Sequence, residues 1–295
     1  VTGIAVARHA ATVLLLREAS AAVEVLMIRR HQNLAFMGGM WVFPGGGLSS
    51  SDCSARAFER ILPAQREAAR PMLDLTGNPL APAESLGLYV AACRETFEEA
   101  GLLLAMDAKG NRCSAEVGER LQAERGAVAQ DPSLFLTMLE RENLYLNVER
   151  LVYWSHWITP SNSPKRFDTR FFAIAAPREQ SLTSLSGEST EYTWMTPAAL
   201  REAAQRDEMP IPAPTLCNLE DIEDCYRRHG SVDALLERER GRTVPPLLPK
   251  VIPDHDGPTI LMPWDPAYAS APGEGCVSAG EYSEFLLRRP ARRKR

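Results

Sequence analysis

The six cysteines of this chain form no C-x-x-C pair, and no zinc-binding spacing joins them to the five histidines. Scattered at positions 53, 93, 113, 217, 225 and 276, they exclude a disulfide frame. They fit reduced thiols in a cytosol-like, cytoplasmic compartment. No run of 18 apolar residues occurs, so no membrane span is expected. The apolar stretch 10–16 is short and no small-residue cleavage site follows it, so it reads as a strand and not a signal peptide. A Ser-Lys-Leu ending is missing too, and with it a peroxisomal address of that type. Positive charge is outnumbered in the chain outside one end. The net charge is −5, yet six of the last eight residues (288–295) are cations, so the rest of the chain carries −11. An acidic body argues against a stable nucleic-acid partner, and the basic end reads as a solubilising tail.

What is present suits a soluble enzyme. The 295 residues are 45% hydrophobic and 24% charged, enough for a large core. No internal repeat is visible, and nothing requires a second domain, so 1–295 reads as one unit.

The most informative segment is Arg94-Glu95-Thr96-Phe97-Glu98-Glu99-Ala100-Gly101-Leu102. Helical spacing places Glu95, Glu98 and Glu99 on one face. Val90, Cys93 and Phe97 form an apolar stripe on the other, and Gly101 ends the helix. Clustered carboxylates repel one another unless a cation sits among them, and hard divalent ions take such oxygen ligands. The alternative is a solvated acidic face with Arg94 paired to Glu98. Upstream, Trp41-Val42-Phe43-Pro44-Gly45-Gly46-Gly47 reads as a short strand running into a glycine-rich turn, where backbone can approach a ligand closely.

Together these segments resemble the two halves of the Nudix box, G-x5-E-x7-R-E-U-x-E-E-x-G-U. Counting from Gly46 places Asp52 where that pattern has Glu, and Thr96 stands at its first aliphatic position. Between Asp52 and Arg94 lie 41 residues where the pattern has seven, an excess of 34. A box split this way, with the lead-in 36–46, resembles the peroxisomal-type coenzyme A diphosphatase branch. An upstream motif of the bacterial-type coenzyme A enzymes is half present. Arg30 and Gly39 match it, while His31 and Ala35 depart from it.

The resemblance implies a Nudix fold, an α/β/α sandwich around a mixed sheet. It would carry an insertion (53–85) and a C-terminal helical extension (200–295), the latter an accessory layer or an element of a homodimer. It also implies metal-dependent hydrolysis of a nucleotide substrate in which a nucleoside diphosphate is linked to another moiety, first of all coenzyme A or acyl-coenzyme A. Alternatives are ADP-ribose, NADH or a nucleotide sugar, or a ligand sensor without turnover. Glu95, Glu98 and Glu99 would hold Mg²⁺ or Mn²⁺. Arg94 would orient them, and Glu98 or Glu188 would act as base, with Glu191 a second choice for the downstream acid. Gly45 and Gly46, Arg30, Lys165 and Arg166 would meet substrate.

Residues 11–16 and 23–29 read as an opening hairpin, and 41–43 as a third strand. Helices are expected over 54–70, about 84–100, 114–125, 132–142, 215–229 and 231–240, with another starting at Thr196-Pro197. Further strands are expected at 151–158, 167–175, 191–195 and 259–264. The first of these carries Trp154, His156 and Trp157. Alternation puts Trp154 and His156 on one face and Trp157 on the other, so both tryptophans could line one aromatic-accepting pocket only across a bulge. His156 reads as a packing residue.

Overall fold

Two strands that begin as a hairpin and then part set the frame of the computed structural model, which describes residues 4–182, 189–253 and 257–276, and the backbone alone of 292–294. β1 (Ala7–Ala19) and β2 (Ala22–Arg30) pair only from Leu16/Val25 to their turn. Ser20 and Ala21 both have positive φ (50° and 60°), the conformation whose twist matches a two-residue hairpin. Beyond Leu16 the strands diverge, and residues 41–47 fill the fork. β3 (Trp41–Val42) pairs with β2, and β4 (Gly45–Gly47) pairs with β1 at 10–12. The amide of Val13 donates to the Pro44 carbonyl at 2.8 Å between them. The expected glycine turn is therefore a sheet strand. Gly45 is obligatory there, because a Cβ would meet the Ala11 carbonyl and Thr12 Oγ1 at 2.5 Å.

The insertion follows. Its expected single helix is two, α1 (Ala55–Glu59) and α2 (Pro63–Ala68). Pro63 explains the break: it forces Leu62 into an extended conformation, ψ 141°. α3 (Pro82–Ala100) is the box helix, begun by a proline in its first turn and closed by Gly101 at φ 69°. The segment between α2 and α3 is fastened down. The Arg70 amide donates to the Tyr89 hydroxyl, and the Met72 amide to Ser85 Oγ, at 3.2 Å each.

β5 (Ala105–Met106) leads into α4 (Ala115–Leu121), a short 3₁₀ turn and α5 (Arg125–Gln130), where one helix was expected. α6 (Ser133–Arg141) and β6 (Tyr145–Leu146), which pairs with β5, complete this layer. β7 (Val152–Ile158) pairs antiparallel with β8 (Arg166–Ala175), and β8 lies parallel to β1 along ten residues. β9 (Ser189–Met195) pairs with β2. α7 (Pro197–Gln205), α8 (Ala213–His229) and α9 (Val232–Glu239) follow. β10 (Pro246–Leu247) then joins β7 in parallel. β11 (Lys250–Ile252), β12 (Thr259–Leu261) and β13 (Arg292–Lys294) form a separate small sheet. The strand expected over 259–264 is thus shorter and stands outside the main sheet.

The main sheet is mixed and lies between two apolar layers. On one face Ala11, Val13, Leu15 and Phe172 pack with Val90, Cys93 and Phe97 of α3. On the other, Leu14, Leu16 and Met27 pack with Leu219 and Ile222 of α8 and Leu235 of α9. Much of the extension expected after residue 200 is therefore the second helical layer of the sandwich itself. Among the described residues, no helix is long and apolar enough to cross a membrane.

Candidate active site

The acidic face of α3 is not a solvated surface. Glu95, Glu98 and Glu99 are all buried, and so is Arg94. Two elements cover them. β4, wedged into the fork, presents its backbone: the Gly45 amide donates to Glu99 Oε2 at 2.8 Å. Gly46 lies so close that a Cβ would sit 2.5 Å from the Glu95 carboxylate. The loop after β4 presents Asp52, also buried.

Arg94 joins the two halves of the box. Its Nε and Nη2 donate to the two oxygens of Asp52 at 2.9 Å each, a bidentate pair. Nη2 also donates to the Gly47 carbonyl at 2.8 Å. Nη1 donates to Glu95 Oε1 at 2.9 Å and to Glu98 Oε1 at 2.7 Å. All of the guanidinium's donors are thereby used. Arg94 is a clamp on carboxylates and strand; burial works against its charge, but Glu95, Asp52 and Glu98 hold it firmly protonated. Arg30 reaches the same cluster, with Nη1 3.7 Å from Glu99 Oε1.

Burial pushes the Glu95 carboxyl up to about 8; Arg94 opposes that rise, while Glu98 and Glu99 add to it by repulsion. A hard divalent cation would relieve this repulsion, and buried carboxylate oxygens are the donors such an ion prefers. Among the described residues, no three acidic, histidine or cysteine side chains stand in positions that could hold a metal ion as they are. Arg94 occupies Oε1 of both Glu95 and Glu98. The donor set fits a metal by its chemistry and its strained charge state.

Other expected residues fall elsewhere. Arg166 is buried and committed: it donates to the Thr159 and Ala5 carbonyls and pairs with Glu274 at 2.7 Å. Lys165 is exposed, its Nζ 5.4 Å above the Phe167 ring, which in turn meets Phe36 edge-on. Glu191 forms a surface pair with Arg29 at 2.7 Å. Glu188 lies outside the described residues.

A bulge between Tyr153 and Ser155 does intervene in β7, and it turns Trp154 and Trp157 to the same face. That face is the one under α8, away from the box helix. The cavity beside them measures about 20 Å³, enough for a water molecule and too small for a nucleotide base. His156, fully buried and bonded to Asp168, is a packing residue as expected.

Sequence reasoning missed Arg125. It opens α5 and reaches the C-terminal end of α3 from the side. No local pattern marks it, because it stands beyond the box in what reads as the end of an ordinary helix.

Residues 5–222 match the model of the NUDT19 Nudix domain. The acyl-coenzyme A diphosphatase NUDT19 of Xenopus laevis is 29% identical, over 91% of this chain and 79% of that protein. Its Gallus gallus counterpart is 30% identical over 84% of this chain and 74% of that protein. The human one is 28% identical over 83% and 72%. Among solved structures, a Nudix hydrolase from Alicyclobacillus acidocaldarius superposes with a TM-score of 0.62, covering 80% of this chain and 97% of that one at 24% identity. A matched domain over most of the chain, with a box closed in space by Arg94 and Asp52, makes this protein a member of the NUDT19 Nudix family.

Proposed function

We propose that this chain hydrolyses the pyrophosphate of coenzyme A or an acyl-coenzyme A, giving 3′,5′-ADP and 4′-phosphopantetheine or its acyl form. The observation that carries the reading is the buried cluster of Glu95, Glu98 and Glu99 against β4. The relatives named acyl-coenzyme A diphosphatase supply the substrate class. Glu95, Glu98 and Glu99 would hold Mg²⁺ or Mn²⁺. Such an ion, when bound, neutralises pyrophosphate charge and acidifies water.

The chain's own residues do the rest. Arg94 fixes one oxygen each of Glu95 and Glu98, so the carboxylates face the reacting phosphates in a set orientation. Gly45 and Gly46, lacking side chains, let β4 lie directly against Glu99 and Glu95, and their backbone is offered as a contact for the pyrophosphate beside those carboxylates. Water attacks one phosphorus, the bridging P–O bond breaks, and the leaving phosphate departs with the bond's electrons. Glu98 takes the proton from the attacking water, with Glu188 as second candidate. Arg30, beside Glu99, meets a substrate phosphate, and Lys165 at the surface is a further partner for one. Arg166, already committed to three partners, is not. Thiols held outside disulfides suit a reducing, cytoplasmic setting.

The test is competition. The protein is incubated with Mg²⁺ and equal amounts of coenzyme A, an acyl-coenzyme A, ADP-ribose, NADH and a nucleotide sugar, and the mixture is read by mass spectrometry. Loss of the coenzyme A species with release of 3′,5′-ADP is expected. Loss of ADP-ribose first would overturn the substrate, and no loss at all would favour a sensor.

A further inference from the structure

Glu98 and Glu99 stand in the last turn of α3, where the helix dipole is negative. Carboxylates are disfavoured there, and cations are what a helix normally places near that end. α3 has no basic residue in its last turn. Its last carbonyls also need donors from outside the helix.

Arg125 meets both needs from another helix. It is 5% exposed, and its Nε and Nη2 both donate to the Glu98 carbonyl, at 3.2 and 2.8 Å. The fit is tight. A Cβ at Gly101 would lie 3.1 Å from Arg125 Nη1 and 3.2 Å from Gln122 Cδ, so any side chain there would press the guanidinium back by a few tenths of an ångström. Gly101 serves twice, by its φ of 69° and by the space it leaves. Burial lowers the Arg125 pKa, and the charge of Glu99 works against that loss. One guanidinium thus grips the backbone of one proposed metal ligand and attracts the side chain of the next.

We infer that Arg125 is a positioning residue for the carboxylate cluster: by holding the Glu98 carbonyl and countering the charge of Glu99, it fixes the last turn of α3 in the orientation that binds the divalent ion. The inference rests on the metal reading above. It extends that site beyond the box to a residue from α5. Arg94 holds the cluster from its N-terminal side through side chains, and Arg125 holds it from the C-terminal side through backbone.

Two physical effects of removing Arg125 have opposite signs, which makes the test decisive. Loss of a nearby positive charge alone would tighten cation binding. Loss of orientation would weaken it. Mn²⁺ binding to the full chain is measured by electron paramagnetic resonance, with no substrate present, for wild type, Arg125→Met and Arg125→Lys. For Arg125→Met, Mn²⁺ affinity is expected to fall about tenfold or more, the scale on which outer-shell partners act. kcat is expected to fall with it and KM to change little. Arg125→Lys keeps the charge and one donor at a time, and is expected to recover part of the affinity. Unchanged or tighter Mn²⁺ binding by Arg125→Met overturns the inference. If that variant does not fold, Arg125→Lys decides alone, and wild-type affinity in it overturns the inference. Wild-type protein that binds no Mn²⁺ overturns the metal reading itself, whereas wild-type binding unaffected by these substitutions overturns the role of Arg125 only.

Discussion

Arg94 and Asp52 stand 42 positions apart in the chain and face each other through two hydrogen bonds of 2.9 Å. Both are nearly fully buried, at 2% exposure. This pair closes the split box, and the carboxylate wall depends on it because the same guanidinium reaches Glu95 and Glu98.

Replacing Asp52 by Asn leaves Arg94 buried with less compensating charge. Breaking a buried pair in this way costs about 3–5 kcal/mol. Urea unfolding of Asp52→Asn should show a loss of that order together with a marked fall in kcat. A loss under about 1 kcal/mol, the range of exposed pairs, would mean that the pair does not hold the box together.

Gly46→Ala tests the close approach of β4 to α3. The added methyl would fall 2.5 Å from the Glu95 carboxylate, so that side chain must move. kcat is expected to drop by about 10- to 100-fold, the scale for disturbing a metal site's supports. Near-normal turnover in a folded Gly46→Ala protein would show that Glu95 is not needed where it stands.

Proton release should accompany metal binding. The Glu95 carboxyl, pushed up to about 8 by burial and its acidic neighbours, keeps its proton below that pH in the metal-free protein. A bound cation favours the carboxylate, so the proton leaves. Calorimetry in buffers of different ionisation enthalpy should detect release at pH 6.5 that fades above pH 9. Equal heats in every buffer at pH 6.5 would contradict this.

A second pH effect lies in β7, on the face of the sheet that carries Arg170 and Phe172. His156 is fully buried, and burial first, then the Arg170 charge, push it down to about 4 despite the attraction of Asp168. Asp168 stays ionised well below the usual carboxylate range: burial works against that, but its hydrogen bonds from His156 and His9 prevail. The unfolded chain therefore takes up a proton at His156, near pH 6.5, that the folded chain refuses. Stability from this residue is whole above pH 6.5 and falls as pH drops toward 4, by about 3 kcal/mol in the limit. Glu95 contributes with the opposite sign, losing stability as pH rises toward 8, so the readout is a difference. The gap in unfolding free energy between wild type and His156→Gln should shrink from pH 7.5 to pH 5. A gap that stays constant would refute the shift.

Much of this was readable in the sequence because its signals are local. The periodicity of 90–100, the Thr196-Pro197 start and the Gly101 stop fixed helices α3 and α7 within a few residues. Asp52, Glu95, Glu98 and Glu99 sit at counted spacings. The misreadings have non-local causes. Leu62 could not be seen as a helix break without giving full weight to Pro63. Gly45–Gly47 becomes a strand only because β1 and β2 part to receive it. The bulge at Trp154 reverses which residues share a face. Arg125 matters because of where α5 lands, and no spacing encodes that.

The fastened insertion carries one more lesson. Closing a loop of 41 residues in place of seven costs only about 1.5 kcal/mol more in chain-closure entropy, since each doubling adds about 0.6. The hydrogen bonds that fasten the segment at Arg70 and Met72, about 0.5–1.5 kcal/mol each, are together of a size to offset that. The length of the connecting segment is therefore nearly free to drift, provided its two ends still meet at the guanidinium. The box behaves as a spatial motif whose linear spelling is optional.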